Sequence, residues 1–367
     1  MPSVFDVRAL DAIVRIELDD SLAGDDRDRI RAQWTDTEVS DGAPDVVLRC
    51  GLRGEDGRLA AGATVGTRDA PSLASVLTAE VTRAGIGHLG GSALMFHAAG
   101  LAADDGRVFV LIGPSGMGKT TATGVLGRHL GYVSDETVAV RPDGSVIPYR
   151  KPLSVGAHPM PKEQVPASQA GLRGLPARPL RLGGLVLLDR RDDVAPARIE
   201  PVTLVDALRS IAPQTSQLAQ LLEPLDTLLS AIARTGGVRR VVYTEAEDLV
   251  ALIGELVTPE PPDPMRVEHI DTSAVVEPSH APRSIRRARV ADVVAVDDTV
   301  IVLIDRRLVV LDGIGPTVWL CADGVPLESL TAAVLAQLPD PPEGVDGASI
   351  VRDTVDQLMD QGLLESR

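Results

Sequence analysis

Val108-Phe109-Val110-Leu111-Ile112 runs straight into Gly113-Pro114-Ser115-Gly116-Met117-Gly118-Lys119-Thr120-Thr121, and the reading of this stretch decides the fold. The five apolar residues suit a short buried strand, and a helix-like pattern follows the glycines. Between them the chain fits G-x-x-x-x-G-K-[ST] at every fixed position, with strand before and helix after. Glycines lack a Cβ, so Gly113, Gly116 and Gly118 let the backbone curl and aim its N–H groups inward at phosphate oxygens. The helix adds its positive N-terminal end. Residues 113–121 are therefore the expected nucleotide cradle, Lys119 reaching the β- and γ-phosphates and Thr120 offering its hydroxyl to Mg²⁺.

Upstream of the cradle, residues 92–103 read as a strand containing His97, and Asp104-Asp105-Gly106 is a hairpin signal. With Asp105 and Gly106 as the two central turn residues, Asp104 faces Arg107. Counting back then sets His97 opposite Pro114, at the mouth of the loop. Downstream, residues 122–130 complete the helix and Gly131 stops it. The run Tyr132-Val133-Ser134-Asp135-Glu136 then brings adjacent carboxylates to a strand end, where a phosphate loop needs its acidic partner. One carboxylate can hold Mg²⁺ and another can take a proton from an attacking hydroxyl. Arg150 and Lys151 read equally well as a phosphate clamp and as an exposed basic turn. Asp189, ending the apolar run 184–188, is a third and weaker acidic candidate.

Further out, the organisation coarsens. Residues 1–71 read as a small α/β layer, with strands at 12–18 and 45–50, a charged helix at 25–34 and no catalytic constellation. A helix starts near Pro71, presenting Leu73, Val76, Leu77, Ala79 and Val81. Residues 152–179 are a Pro-, Gly- and Ala-rich loop able to cover the site. Helices are expected at 202–211, 214–233 and 246–257, with a strand at 238–243. Residues 258–286, opening Thr258-Pro259-Glu260-Pro261-Pro262, form a proline-stiffened linker. Beyond it, three strands (289–295, 300–304, 307–311) and three helices (316–321, 327–338, 350–362) suit a winged-helix-like α+β domain over 287–367.

Composition narrows the functions. Net charge is -16 over 367 residues, which opposes nucleic acid and anionic membrane as partners. From Val290 to Arg367 there are four arginines, no lysine and fourteen Asp plus Glu, which opposes a DNA-binding winged helix. Lysine is rare: Lys119, Lys151 and Lys162 are the whole set. Cys50 and Cys321 lie far apart without metal-type spacing, fitting a reducing compartment. No apolar run reaches membrane-span length, and Met1–Asp6 has neither basic nor apolar targeting character. A cytoplasmic protein is the expectation.

Taken in order, His97, the loop 113–120 and Val133-Ser134-Asp135-Glu136 resemble the HPr kinase/phosphorylase family over roughly residues 72–257. The resemblance implies a P-loop kinase-like domain that phosphorylates a serine or threonine hydroxyl with ATP, or GTP, and Mg²⁺. It makes His97 an aid at the phosphate and Lys119 and Thr120 the nucleotide and metal contacts. Asp135 becomes the base, which also shares the metal. Glu136 stands where the family has a second Asp and is assigned to metal or support. A clear match to that family's second signature is missing, so HPr itself is not carried over as substrate. Gly315-Pro316-Thr317-Val318-Trp319-Leu320, Gly324-Val325-Pro326-Leu327 and residues 353–364 are similar to the PqqD-like element of ribosomal peptide pathways. That likeness implies leader-peptide capture by residues 287–367 through strand addition. The expectation is thus a precursor-peptide kinase. Phosphorylation ahead of a partner lyase, a non-catalytic NTP-binding scaffold and an HPr-type regulatory kinase are the alternatives, and a homo-oligomer is left open.

Overall fold

The computed structural model describes residues 3–59, 62–114, 116–156, 161–258, 260–261, 266–270, 284–296, 299–305, 307–342 and 344–366. It divides into two compact units, residues 1–222 with 230–263, and residues 223–229 with 264–367. Both mix helices and sheets. The layer expected at 1–71 and the region expected at 72–257 thus contribute to one unit.

In the first unit, strand alternation builds a five-stranded sheet ordered Glu38–Val39, Ser3–Ala9, Ala12–Leu18, Val46–Leu52, Val65–Thr67. Ala12, Val14, Ile16 and Leu18 point into the core while Arg15 points out, facing Asp6 directly across the pair. Helix Ala70–Leu89 covers this sheet. Asp69 caps it by accepting from the Ser72 N–H at 2.7 Å, and Pro71 sits in its first turn. Its buried face runs through Leu73, Ala74, Leu77, Thr78 and Val81, whereas Val76 and Ala79 are exposed. The stripe expected from apolar residues alone was therefore displaced by small and hydroxyl residues that pack against the sheet.

The sheet that carries the glycine loop has six strands, ordered Arg198–Val202, Val238–Tyr243, Arg181–Arg190, Arg107–Ile112, Ala98–Ala102, Gly131–Ser134. Strands 107–112, 181–190 and 238–243 are parallel, so their C-terminal ends share one edge, where open α/β sheets bind ligands. The expected single strand over 92–103 is two. Leu94–Phe96 pairs with Val138–Val140 and Thr215–Ser216 in another sheet, and Ala98–Ala102 pairs with the loop strand. Residues 214–233 do not form one helix. Gln217 takes a left-handed φ of 57°, and a helix begins only at Pro224. The long loop after Pro152 contains a hairpin, Leu153–Val155 with Glu163–Val165. Among the described residues no helix is long and apolar enough to cross a membrane. Both cysteines are free, and burial pushes the Cys50 thiol up to about 12.

The second unit has a four-stranded antiparallel sheet ordered Val267–His269, Asp292–Val296, Thr299–Ile304, Arg307–Leu311. A second sheet sets Ser284–Arg287 between Asp323–Pro326 and Leu364–Ser366. Helices Gly315–Cys321, Leu327–Leu335 and Gly347–Asp360 bury Trp319 with Val302, Leu330, Val334, Val351 and Val355. Residues 267–269 and 284–286 are thus strands of this unit, although composition placed them in a linker. Period-2 pairing outweighs the local proline count there. Much of the remaining linker lies outside the described residues.

Candidate active site

The loop is shaped by backbone conformations that only glycine adopts readily. Gly116 and Gly118 have φ of 86° and 82°, and Gly118 is also the N-cap of helix Lys119–Leu126. Gly113 differs: a Cβ there would meet its neighbours at an ordinary 3.6 Å. The curl is therefore made at the second and third glycines. Tyr243, at the end of its parallel strand, donates its hydroxyl to the Met117 carbonyl at 3.2 Å and ties the loop to the sheet. Lys119 is 8% exposed, and its Nζ donates to the carbonyls of Gly113 at 2.6 Å and Pro114 at 3.2 Å. Burial lowers its pKa from the ordinary lysine value. Thr120 and Thr121 are exposed on the first helical turn. Ser115, expected in the cradle, lies outside the described residues.

His97 reaches the site by a register one residue different from the expected one. Ala103 N–H donates to the Arg107 carbonyl at 2.8 Å, and the pairs run from Ala102 with Val108 to Ala98 with Ile112. The turn is the three-residue loop Asp104-Asp105-Gly106, with Gly106 at φ 89°. Asp105 holds it by accepting from Arg107 N–H at 3.0 Å and Nε at 2.7 Å. Extending the ladder sets His97 beside Gly113 rather than Pro114. The slip matters, because one residue exchanges the two faces of a strand. His97 lies between Phe96 and Ala98, where the chain passes from one sheet to the other, and its own N–H donates to the Gln214 carbonyl at 2.6 Å. Residues 93–96 and 98–103 are buried, yet the His97 side chain reaches solvent. Desolvation first, and then the charge of Lys119, lower the His97 pKa; Glu136 and Asp135 pull the other way. The balance favours the neutral imidazole.

Asp135 and Glu136 sit in the turn after strand Gly131–Ser134. Ser134 Oγ fixes that turn by accepting from the N–H groups of Glu136 at 3.3 Å and Thr137 at 3.2 Å. Tyr132 donates its hydroxyl to Asp135 Oδ1 at 3.0 Å. Lys151 completes the cluster. Its Nζ lies 2.9 Å from Asp135 Oδ1 and 3.1 Å from Glu136 Oε2, and it donates to the Pro152 carbonyl at 3.2 Å. The side chains of Lys151 and Asp135 are 2% and 4% exposed, that of Glu136 34%. Burial alone would lower the Lys151 pKa, but Asp135 and Glu136 together outweigh it and hold it above the ordinary lysine value. Arg150 turns elsewhere, donating to the Tyr132 carbonyl at 2.9 Å.

Lys119, His97, Asp135 and Glu136 are thus brought to one place. Asp189 is paired with arginines. Its Oδ2 accepts from Arg191 Nη2 at 2.6 Å, with Arg240 Nε 3.8 Å away. Sequence reasoning missed the roles of Lys151 and Tyr132. Scarcity was the available signal. The three tyrosines are all buried, with hydroxyls placed on Asp135, on Thr82 at 2.9 Å and on the loop.

No protein-family model matches the chain, and no curated protein does. Among solved structures the chain is similar to the Hpr(Ser) kinase/phosphatase from Coxiella burnetii. That match has 14% identity over 44% of this chain and 93% of that one, at a TM-score of 0.24. So low a score carries no argument about fold or reaction.

The donor set suits a hard, well-hydrated cation. Among the described residues no three His, Cys, Asp or Glu side chains gather as a metal cage. Mg²⁺ typically uses one or two carboxylates plus phosphates and water instead. Glu136, partly exposed, Asp135 and the Thr120 hydroxyl are oxygen donors of that kind.

Proposed function

We propose that the first unit is an ATP- and Mg²⁺-dependent kinase acting on a Ser or Thr hydroxyl of a ribosomal precursor peptide. In this reading residues 287–367, as a PqqD-like element, bind the peptide's leader. The observation that carries the proposal is that the strand before the glycine loop joins its parts: Ala98, next to His97, pairs with Ile112 at the loop's start and donates its N–H to the Glu136 carbonyl at 3.0 Å, while Lys119 Nζ lies on the loop carbonyls.

Phosphoryl transfer asks little covalent chemistry of a protein; it asks for positioning and charge neutralisation. The loop N–H groups and Lys119 hold the phosphates, Lys119 exchanging two neutral carbonyls for charged oxygens, which are the stronger acceptors. Bound Mg²⁺ would neutralise charge on the phosphates, with Thr120 and Glu136 as its protein oxygens. Neutral His97 donates a hydrogen bond to the phosphoryl group. Asp135 accepts the hydroxyl proton. Its Oδ1 is fixed by Tyr132 and Lys151, which aims the remaining oxygen, and the contact tightens when substrate binds.

The second unit supports a peptide substrate. Strand Arg307–Leu311 is an edge of its sheet, and a groove between Asp312 and the Thr354 and Gln357 side of helix Gly347–Asp360 runs beside it. An edge strand beside a groove suits strand addition by an extended peptide. Holding the leader there raises the local concentration of the core peptide at the loop.

Mass spectrometry of a genomically neighbouring precursor peptide, incubated with protein, ATP and Mg²⁺, tests the reading. A gain of one phosphate per modified residue is expected, lost in Lys119→Ala. Full phosphotransfer by Lys119→Ala would sink it. Dehydration only after a lyase is added would recast the protein as half of an elimination system. Nucleotide binding without transfer, indifferent to Asp135→Asn, would make it a scaffold. Transfer to a folded carrier protein without need of residues 287–367 would make it a regulatory kinase.

A further inference from the structure

Phosphoryl-transfer sites use one or two divalent ions, and in two-metal sites carboxylates bridge ions roughly 3.5–4 Å apart. The space between Asp135 and Glu136 is where a bridging ion would be expected, and an ammonium group holds it. Lys151 Nζ forms ion pairs with both carboxylates, at 2.9 and 3.1 Å, and donates to the Pro152 carbonyl at 3.2 Å. Three oxygens therefore surround the ammonium group and hold it in position. At 2% exposure it has no aqueous alternative, and leaving would strand Asp135 as a buried charge. The charge balance agrees. Two carboxylates against one lysine leave a single negative charge to attract metal, and only Glu136 of the pair is appreciably open to solvent.

We propose that Lys151 serves as the resident second cation of this site, so that the nucleotide complex takes one divalent ion. Lys151 is a positioning residue here: it contacts the carboxylates and not the reacting atoms. The proposal rests on the kinase reading, and the test separates the two.

The experiment is a Mn²⁺ titration of the full chain with a non-hydrolysable β,γ-imido ATP analogue, bound ion being counted by electron paramagnetic resonance. Wild type should bind one Mn²⁺ per bound nucleotide. Lys151→Met should admit a second, or bind the first roughly tenfold more tightly, as removal of a cation a few ångströms away requires. Lys151→Arg should keep the count at one. Two ions per nucleotide in wild type would overturn the proposal while leaving the kinase reading intact, whether or not the methionine variant folds. A folded Lys151→Met protein with one ion at unchanged affinity would overturn it as well. A chain that binds no nucleotide would sink both.

Discussion

The site holds two buried lysines, and they are held in opposite ways. Lys119 rests on the neutral carbonyls of Gly113 and Pro114, and burial lowers its pKa. Lys151 lies between two carboxylates, and its pKa is raised. Lys151 is the deeper of the two, 1% exposed against 8%, so burial alone would lower its pKa as well; its partners reverse the sign. A cation held by dipoles alone is only partly compensated and can move to a stronger anion. A cation held by full opposite charges is locked, because its departure would strand them. The glycine loop is built to exchange partners and the carboxylate turn is built to keep them.

The contrast can be broken first at its locked end. Lys151→Met should cost about 3–5 kcal/mol of folding stability, the usual result of removing one partner of a buried ion pair. Urea denaturation checks this, and Lys151→Met combined with Asp135→Asn should recover part of the loss. An unchanged midpoint would mean that the pair is not buried in solution. At the exchanging end, Lys119→Ala should leave the midpoint close to wild type but lower phosphotransfer by about 3–4 kcal/mol of transition-state stabilisation, some 10²–10³-fold in rate. Steady-state kinetics with the peptide substrate measure it.

Acidity should separate the lysines further. The folded pKa of Lys119 lies below its unfolded value of 10.5, so Lys119 loses its proton earlier than a free lysine on alkaline titration. Nucleotide affinity should then fall by up to roughly tenfold per pH unit above that folded pKa, and Lys119→Arg should remove the decline. Lys151 runs the other way. Its folded pKa exceeds 10.5, so the stability it lends is fully present below 10.5 and is lost only as pH rises through the raised folded value. Calorimetric binding and denaturation between pH 8 and 11 would show affinity failing before stability; the reverse order would contradict the comparison. Least of all, Tyr132→Phe removes one hydroxyl from Asp135 and should cost about 1 kcal/mol of stability.

How legible each end was in the sequence follows the same division. The exchanging end is local: strand, glycine turns and lysine lie within residues 107–119, and backbone chemistry fixes their spacing. The acidic turn was legible too, since adjacent carboxylates after a strand are a local pattern. The locked end was not. Lys151 meets Asp135 across sixteen positions of chain with no periodic signal, and only its rarity set it apart. Turn length also escaped the reading. Asp104-Asp105-Gly106 fits a two-residue and a three-residue hairpin alike, and the side-chain hold of Asp105 on Arg107 decides between them. Residues 214–233 read as one helix because their apolar spacing continues past Gln217, where the backbone turns left-handed.

That three-residue tip works as a ruler. The pairs from Ala102 with Val108 to Ala98 with Ile112, five residues of extended chain, carry its setting to the residue next to the histidine. Were the strands to slide past each other by a single step, residues 98–102 would exchange faces, and the attachment point of His97 would shift with them. An indel of one codon at the tip, distant from Lys119, Asp135 and Glu136, would therefore abolish the proposed phosphotransfer while sparing those side chains.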